Sequence, residues 1–335
     1  MKVLVPGGAG FIGSNFVHLC LQTRPDIEIT VVDKLTYAGN LASLADIADR
    51  ITFQQGDIAE PGLIDALVAD ADLVVNFAAE SHNDNALRVP GPFVATNLVG
   101  TFQLLEAVRR HKVRLHHIST DEVYGDTASQ STLRFTPKTP YNPSSPYAAT
   151  KAGADMLVRA WVRSFGVRAT ISNCSNNYGP FQHVEKFIPR TITNLLDGGH
   201  AVLYGDGGNV RDWIHVDDHN RAVWAVLDGG RQGETYLIGA SNEMTNRAVA
   251  GLILNLMGHD GDEVIQVIDR AGHDRRYAID PSKLEEETGW RPEITDFRAG
   301  LQATIEWYKA NEAWWRPQKG VTEARYATPP ADDSG

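Results

Sequence analysis

The chain has 335 residues, a formal net charge of −11 and 42% hydrophobic residues, and this length suggests two domains or one large domain with a second lobe. Its 31 basic residues are scattered, which argues against binding to nucleic acid or to an anionic membrane surface. Cys20 and Cys174 indicate neither a disulfide framework nor a metal-binding motif. No apolar run approaches the ~20 residues of a membrane span. Because a strand is predicted to begin at Lys2, we expect no signal peptide and a cytoplasmic location.

Short apolar runs alternate with helical patterns in the first half of the chain. This alternation predicts an α/β fold, with a doubly wound parallel sheet covered by helices on both faces. We expect this domain to span residues 1–175. A smaller C-terminal substrate-binding lobe is expected over residues 176–335, interleaved with the first domain because residues 214–240 again resemble a helix and a strand. The predicted strands are 3–5, 29–32, 51–54, 73–77, 115–119 and 170–173, the predicted helices are 11–22, 61–68, 92–111 and 145–165, and residues 328–335 are expected to fray.

The first strand ends in a glycine-rich turn that opens the first helix. Gly7, Gly10 and Gly13 allow a tight turn, close approach of the backbone to a pyrophosphate, and close packing of helix on strand. Asp33 ends the second strand, at the spacing of an acid that binds a ribose diol. The pattern predicts a Rossmann-type site for NAD rather than NADP, because a carboxylate repels a 2′-phosphate, although the adjacent Lys34 weakens this preference. The alternative is a structural turn with Asp33 as a helix cap.

A Thr-Asp-Glu run follows the fifth predicted strand, and a Tyr-x-x-x-Lys pair lies in a predicted helix. Tyr147 and Lys151 share one helical face, so the ammonium is expected to lower the pKa of the phenol and make it a base. Asp121 and Glu122 offer one carboxylic acid to donate a proton and one carboxylate to accept one. Together these residues predict oxidation coupled to elimination. Singly, the acids could cap a helix and the Tyr–Lys pair could be an ordinary surface pair.

With these motifs, the chain resembles the extended short-chain dehydrogenase/reductase family, and within it most closely the 4,6-dehydratases of nucleotide sugars. The resemblance covers nearly the whole chain. Its most specific part is Thr120-Asp121-Glu122, because sugar-nucleotide epimerases usually lack the acid pair. The other matching segments are 7–13, 33–40, 78–82, 119–125, 175–180, 185–189, 209–213 and 272–277.

The resemblance implies an NAD-dependent lyase that dehydrates dTDP-glucose to dTDP-4-keto-6-deoxyglucose, in the biosynthesis of a deoxysugar such as rhamnose. It implies that Tyr147 takes the C4 hydroxyl proton and that Thr120 orients O4. It further implies that Glu122 removes the C5 proton and that Asp121 protonates the departing C6 hydroxyl. The alternatives are another nucleotide-sugar dehydratase, a 4-epimerase, a decarboxylase or a non-catalytic NAD-binding scaffold. The acid pair disfavours the epimerase and the decarboxylase, and the retained Tyr–Lys pair disfavours the scaffold.

The resemblance also assigns binding residues. Arginines are favoured for the diphosphate because a guanidinium binds phosphate oxygens in a bidentate way. The predicted catalytic residues are Thr120, Asp121, Glu122, Tyr147 and Lys151. The predicted cofactor residues are Gly7, Gly10, Phe11, Ile12, Gly13, Asp33, Lys34, Leu35, Thr36, Asp57, Ile58, Ala78, Ala79, Ser81, Thr96, Tyr147, Lys151 and Asn177. The predicted substrate residues are Ser81, His82, Thr120, Asn176, Lys186, Phe187, Arg211, Asn246, Arg270, His273 and Tyr277.

Two predicted helices, 92–111 and 145–165, carry apolar residues on more than one face. This pattern suits a four-helix interface between the subunits of a homodimer, and members of the family pair in this way. Burial within the monomer is the alternative explanation. The residues predicted to form the interface are Leu98, Phe102, Leu105, Met156, Ala160 and Val162.

Overall fold

The computed structural model describes residues 1–127, 132–259 and 264–327, so the fraying predicted for residues 328–335 lies outside the described residues. Strands occur in both halves of the chain, and those of the first half match the predicted ones to within a few residues. The strands are β1 (Lys2–Pro6), β2 (Glu28–Asp33), β3 (Ile51–Gln55), β4 (Leu73–Asn76), β5 (Arg114–Thr120), β6 (Ala169–Cys174), β7 (Asn176–Tyr178), β8 (Ala201–Tyr204), β9 (Val210–His215), β10 (Thr235–Ile238), β11 (Glu243–Thr245) and β12 (Val264–Val267).

Seven of these strands form one parallel sheet in the order β3-β2-β1-β4-β5-β6-β10. The strand order reverses between β1 and β4, and a crevice opens there beyond the carboxyl ends of the strands. The late strand β10 joins the sheet beside β6, where Thr235 is paired with Ile171 and Ile238 with Cys174. Strands β11, β9 and β7 form a small second sheet, and β12 pairs with β8. The predicted doubly wound α/β fold is therefore confirmed.

Helices cover both faces of the large sheet. The predicted helix 92–111 is interrupted by a π-helical stretch at Val94–Gly100, a distortion that often marks a functional site. No helix within the described ranges is long and apolar enough to cross a membrane. The helices are α1 (Phe11–Thr23), α2 (Pro61–Ala69), α3 (Asn83–Arg88), α4 (Gly91–Phe93), α5 (Thr101–His111), α6 (Pro146–Phe165), α7 (Phe187–Leu196), α8 (Val216–Gly229), α9 (Asn246–Met257), α10 (Ser282–Thr288), α11 (Phe297–Ala310) and α12 (Glu312–Ala327), with 3₁₀ segments at Leu41–Arg50 and Asp121–Tyr124.

Helix α6 carries the predicted Tyr–Lys pair, and local sequence fixes both of its ends. The Ser145 side chain accepts a hydrogen bond from the Ala148 N–H at 3.1 Å, and Pro146 occupies the first turn. At the other end, Gly166 adopts φ 67°, a left-handed conformation that ends a helix at little cost for glycine. The helix is anchored by Val158, which is buried with Leu105 and Leu115 in the core on one face of the sheet. This packing holds the first turns of α6 at the carboxyl edge of β5.

Candidate active site

In the glycine-rich turn between β1 and α1, main-chain groups face the crevice without side chains in front of them. Gly7 adopts φ 77°, and its N–H donates to the Val32 carbonyl at 2.9 Å. A Cβ at Gly7 would overlap the backbone of Ala78, and one at Gly13 would overlap the Gly7 carbonyl. The turn and the N-terminus of α1 can therefore be this close to their neighbours only with glycine at both positions. The resulting cradle fits a pyrophosphate group.

Asp33 lies at the end of β2 with its carboxylate fixed by two backbone donors. It accepts hydrogen bonds from the N–H groups of Ala9 at 3.0 Å and Leu35 at 2.9 Å. Burial raises the pKa of Asp33, while these two hydrogen bonds lower it. The ammonium of Lys34 is 2.6 Å from the Asp57 carboxylate, so its charge is directed away from Asp33. The local arrangement suits a ribose diol at Asp33.

The predicted cofactor residues line one continuous cleft, with one exception. Leu35 does not line it. Its backbone is left-handed, with φ 56°, and its contribution is the N–H that binds Asp33. The predicted cofactor residues that line the cleft are Gly7, Gly10, Phe11, Ile12, Gly13, Asp33, Lys34, Thr36, Asp57, Ile58, Ala78, Ala79, Ser81, Thr96, Tyr147, Lys151 and Asn177.

The adjacent acids Asp121 and Glu122 have different surroundings, although both line the cleft. Asp121 is 2% exposed, and its Oδ2 has no hydrogen-bond partner. Burial, followed by the nearby charge of Glu122, raises the pKa of Asp121 well above its usual range. Glu122 is only partly buried, and its Oε2 accepts a hydrogen bond from the Asn83 side chain at 2.9 Å. The surroundings of Asp121 thus favour its protonated form, whereas the Glu122 carboxylate is held by a hydrogen-bond donor.

Tyr147 and Lys151 are both buried beside this acid pair, but the expected effect of the lysine on the phenol is not found. The prediction that Lys151 lowers the pKa of Tyr147 is wrong for this structure. Burial, followed by the charge of Glu122, raises the pKa of Tyr147 well above its usual range. The Lys151 ammonium instead donates to the Ile118 carbonyl at 2.7 Å, and burial lowers the pKa of Lys151. The lysine charge is thus directed at the strand backbone.

Only some predicted substrate residues line the cleft, namely Ser81, Thr120, Asn176 and Lys186. Lys186 is the cation among them, and its ammonium donates to the Ser81 carbonyl at 2.8 Å. Burial lowers the pKa of Lys186, and the nearby charge of Glu185 raises it. The lysine therefore connects the N-terminus of α7 to the loop that follows β4.

The remaining predicted substrate residues lie outside this cleft. The Arg211 guanidinium is buried, stacks 4.2 Å from the centroid of the Tyr277 ring and donates to the Asp274 carbonyl at 2.8 Å. Phe187 does not line the cleft because its ring packs with Trp213 in the core of the lobe. The other residues of this group that do not line the cleft are His82, Asn246, Arg270 and His273.

Arg270 and His273 belong to a polar cluster beyond Lys186. Arg270 lies 3.5 Å from Asp84, and His273 Nδ1 lies 2.6 Å from Asp269. The Tyr204 hydroxyl also donates to Asp84, at 3.0 Å. The positive charge of Arg270 contributes to the lowered pKa of Lys186, after the larger effect of burial. The cluster therefore continues the polar wall of the cleft into the lobe.

Sequence reasoning missed Asn83, which contacts the acid pair directly. Besides donating to Glu122, Asn83 accepts a hydrogen bond from the Ser145 hydroxyl at 2.8 Å. It therefore links α3, the acid pair and the start of α6. No local pattern distinguishes this asparagine from a helix-capping residue, although it immediately follows the family-matched segment 78–82. Ser175, Gln182 and His183 also line the cleft and were not predicted.

A doubly wound parallel sheet with a glycine cradle, a ribose-binding acid and a Tyr-x-x-x-Lys helix at its crevice defines an extended short-chain dehydrogenase/reductase. The family model described as GDP-mannose 4,6 dehydratase matches residues 4–304. The dTDP-glucose 4,6-dehydratase of Mycolicibacterium smegmatis is 64% identical over 326 residues, covering 97% of this chain and 98% of that protein. The chain belongs to the dTDP-glucose 4,6-dehydratase family.

Solved structures give the same assignment. The dTDP-glucose 4,6-dehydratase DesIV of Streptomyces venezuelae, solved with NAD and a second ligand bound, has a TM-score of 0.92 and 48% identity, covering 95% of this chain and 100% of that one. A UDP-glucose 4-epimerase of Thermotoga maritima is more distant, with a TM-score of 0.86 and 26% identity over 93% of this chain and 100% of its own. The fold is thus shared with epimerases, and the higher identity lies with the dehydratases.

Proposed function

We propose that this chain is an NAD-dependent lyase that dehydrates dTDP-glucose to dTDP-4-keto-6-deoxyglucose. The observation that carries the proposal is the meeting of two different carboxyl groups, Asp121 and Glu122, with Tyr147 and Lys151 in one cleft. An epimerase needs the Tyr–Lys pair but has no use for a second acid that favours its protonated form. The 64% identity to a dTDP-glucose 4,6-dehydratase supports the same substrate.

NAD binds along the crevice, and the residues present fit it. The amides of the turn at Gly7 and the N-terminus of α1 hold the pyrophosphate, and Asp33 holds the adenosine ribose diol. When bound, NAD⁺ would supply a hydride acceptor for C4 of the sugar, a hydride donor for C6 in its reduced form, and a positive charge near the phenol. The ion pair of Lys34 with Asp57 removes a cation that would otherwise attract a 2′-phosphate, which supports a preference for NAD over NADP.

Tyr147 removes the proton from the C4 hydroxyl of the sugar, and Thr120 orients that oxygen. Burial opposes ionisation of the phenol, so Tyr147 needs a nearby cation to act as a base. Lys151, one helical turn from Tyr147, and the positive charge of bound NAD⁺ would together supply this cation. Thr120 is suited to its role because its hydroxyl lies at the end of β5 and contacts both acids, 3.4 Å from Asp121 Oδ1 and 3.3 Å from the Glu122 N–H.

The acid pair carries out the elimination. Oxidation at C4 acidifies the C5–H, and Glu122 takes this proton while Asp121 donates one to the departing C6 hydroxyl. The raised pKa of Asp121 keeps it protonated for this step, and its unpaired Oδ2 is placed among buried atoms without a competing partner. Asn83 holds the Glu122 carboxylate in position. Glu122 exchanges this proton with solvent and afterwards protonates C5.

The C-terminal lobe, residues 176–335, binds the nucleotide, and residues 1–175 with the strand β10 bind the cofactor. Lys186 lines the cleft, and Arg270 and Arg211 lie in the adjoining walls of the lobe, so a diphosphate entering from the lobe meets fixed positive charge. Ser81, Asn176 and the sugar hydroxyls form the remaining polar contacts. The resemblance also assigns His82, Asn246, His273 and Tyr277 to the substrate, although none of them lines the cleft.

The protein is a cytoplasmic homodimer that pairs through α5 and α6. Phe102, Met156 and Phe165 are 39%, 50% and 53% exposed on these neighbouring helices, and a group of exposed apolar side chains on one face is typical of a protein–protein interface. Ala160 is exposed and Leu98 and Val162 partly exposed beside them. Leu105 is excluded from the interface because it is fully buried against the sheet of its own subunit. Two buried free cysteines are compatible with a reducing compartment.

The test is the mass of the product formed from dTDP-glucose in heavy water. Loss of one water with gain of one carbon-bound deuterium supports elimination with exchange at C5. Conversion without loss of water would indicate an epimerase, and conversion of UDP-glucose but not of dTDP-glucose would indicate another nucleotide. Glu122→Gln is the matched variant, since it keeps the size and the Asn83 contact but cannot take the C5 proton. We expect it to incorporate no deuterium.

A further inference from the structure

A buried polar cluster lies behind Lys151, on the side away from the cleft, and the proposed chemistry does not use it. Asp155 is one helical turn after Lys151 and is 0% exposed, and His117 on β5 is 1% exposed. Neither residue lines the cleft. A fully buried carboxylate is energetically costly unless it is paired. The hydrogen-bond donors and acceptors around Asp155 therefore indicate whether it is ionised.

The hydrogen position on His117 follows from its neighbour Asn76. Asn76 Oδ1 accepts a hydrogen bond from the Ala78 N–H at 3.1 Å, which fixes the orientation of the amide. Its Nδ2 therefore faces His117 Nδ1, at 3.3 Å, and donates to it. Neutral His117 must then carry its hydrogen on Nε2. That nitrogen is 3.5 Å from Asp155 Oδ1.

Asp155 Oδ1 and His117 Nε2 have no hydrogen-bond partner, whereas Asp155 Oδ2 accepts two hydrogen bonds. Arg159 donates to the Tyr141 hydroxyl oxygen at 2.7 Å, so the Tyr141 hydrogen is free to point at Asp155 Oδ2, at 2.8 Å. Asn173 Nδ2 donates to the same oxygen at 2.9 Å. A protonated carboxyl would need an acceptor for its own hydrogen, whereas these neighbours present hydrogens to it.

The remaining titratable groups around the pair are neutral near neutral pH. Burial raises the pKa of Tyr124 and Tyr141 and raises that of Cys174 to about 12. Burial lowers the pKa of His117 well below its usual range, with smaller effects from Lys151 and His116. Lys151, Asp155 and the more distant Arg159 are therefore the members of the cluster that can carry charge near neutral pH.

We infer that Asp155 is a positioning residue, the ionised counter-charge that keeps the buried Lys151, one helical turn before it, an ammonium that donates to the Ile118 carbonyl of β5. Burial alone would favour the neutral amine, and the charge of Asp155 is the largest influence that opposes it. Burial raises the pKa of Asp155 itself, and Lys151, followed by the hydrogen bonds of Asn173 and Tyr141, lowers it. Residues of β4, β5, β6 and α6 thus jointly set the charge beside the phenol. The inference rests on the proposed role of Lys151.

The test is the titration of Lys151 in protein labelled with ε-¹³C lysine, with the Lys151 resonance assigned by its absence from Lys151→Arg. We expect Asp155→Asn, which keeps the shape of the side chain, to lower the pKa of Lys151 by about 1–3 units. The alkaline limb of the kcat–pH profile should move to lower pH by the same amount. Because the NMR titration needs no turnover, it gives an answer even if dTDP-glucose is not the substrate.

Asp218→Asn is the matched control, because Asp218 is also 0% exposed and accepts the N–H groups of Glu293 and Ile294 in a different part of the molecule. It should lower stability and leave the Lys151 titration unchanged. An unchanged titration in Asp155→Asn would overturn the inference. If that variant fails to fold, the ionisation state of Asp155 can be measured by NMR in wild-type protein labelled at the aspartate carboxyl carbons. The Asp155 resonance is assigned by its shift in Tyr141→Phe. A carboxylic acid rather than a carboxylate at neutral pH would then overturn it.

Discussion

Asp121 and Glu122 are adjacent in the sequence but lie in different environments. Both follow β5 in a short 3₁₀ segment, so one side chain turns into the protein while the next remains partly exposed. The Asp121 carboxyl is buried away from water, and its Oδ2 has no hydrogen-bond partner. The Glu122 carboxylate accepts a hydrogen bond from the Asn83 amide. Two like charges this close also disfavour ionisation of both. The difference in environment, and not in residue type, supports the proposed division of the pair into acid and base.

Asp121→Asn should lower kcat by about 10²–10⁴-fold, because an amide cannot protonate the leaving hydroxyl. The same variant should be more stable than the wild type. The raised pKa of Asp121 means that the folded state resists ionisation, so wild-type stability is undiminished below the unfolded pKa and falls as pH rises toward the folded one. The stability gain of the variant should therefore grow with pH, by at most about 1.4 kcal/mol per unit, in denaturant unfolding measured at several pH values.

Asp206→Asn is the control, because we expect it to change the stability of the protein in the opposite direction. A hydrogen bond from Arg275, followed by one from the Gly208 N–H, lowers the pKa of Asp206. Its contribution to stability is present above the unfolded pKa and is lost as pH falls, so this variant should be the less stable one at neutral pH. A pH-independent stability difference for Asp121→Asn would show that Asp121 is ionised in the folded protein.

At the scale of elements, the cofactor cradle depends on how closely β1, α1 and the end of β4 approach one another. Gly7 has a left-handed backbone and lies against Ala78, while Gly13 lies against the carbonyl of Gly7. The two glycines therefore set the distance between the first helix and two neighbouring strands. A side chain at either position would move the amide donors away from the pyrophosphate.

Gly7→Ala should abolish NAD binding and destabilise the protein. The left-handed conformation alone costs a residue with a Cβ about 1–2 kcal/mol, and the overlap with Ala78 adds to this. Isothermal titration with NAD and thermal unfolding measure the two effects. Gly251→Ala in α9 is the matched control, since no atom lies within 4 Å of its Cβ position, and it should gain about 0.5–1 kcal/mol while NAD binding is unchanged. Full NAD affinity in Gly7→Ala would contradict the proposed cradle.

The sequence predicted those parts of the site that depend on local pattern. Strand–turn–helix chemistry identified Gly7 and Asp33, and helical spacing identified Tyr147 and Lys151. It did not predict Asn83 beside Glu122 or His117 beside Asp155, because those contacts join residues 39 and 38 positions apart through the register of strands. The pKa of Tyr147 was predicted wrongly for a related reason: spacing gives proximity to Lys151 but not burial.

At the scale of the whole molecule, the chain ties its two lobes together at several places. Strand β10 returns from the lobe to pair with β6. Helix α12 reaches back to the first domain, where the Trp314 indole N–H donates to Ser43 at 3.1 Å and the Tyr326 hydroxyl to Asp84 at 3.3 Å. These contacts hold the lobe over the crevice, so the polar wall around Lys186 stays close to the acid pair. Movement of the lobe on binding a nucleotide is expected to be small.

The apolar face of α5 and α6 remains to be covered, and the error over Leu105 shows why sequence periodicity could not define it. Both faces of α5 are apolar, and only the fold tells which one meets the sheet. Met156 lies on the outer face and is 50% exposed, so Met156→Glu places a charge in the proposed interface without disturbing the core. We expect this variant to sediment as a monomer in analytical ultracentrifugation at concentrations where the wild type is a dimer. Ile268→Glu, at a residue that is 93% exposed near β12, should leave the dimer intact. If Met156→Glu remains dimeric, the subunits pair through another surface.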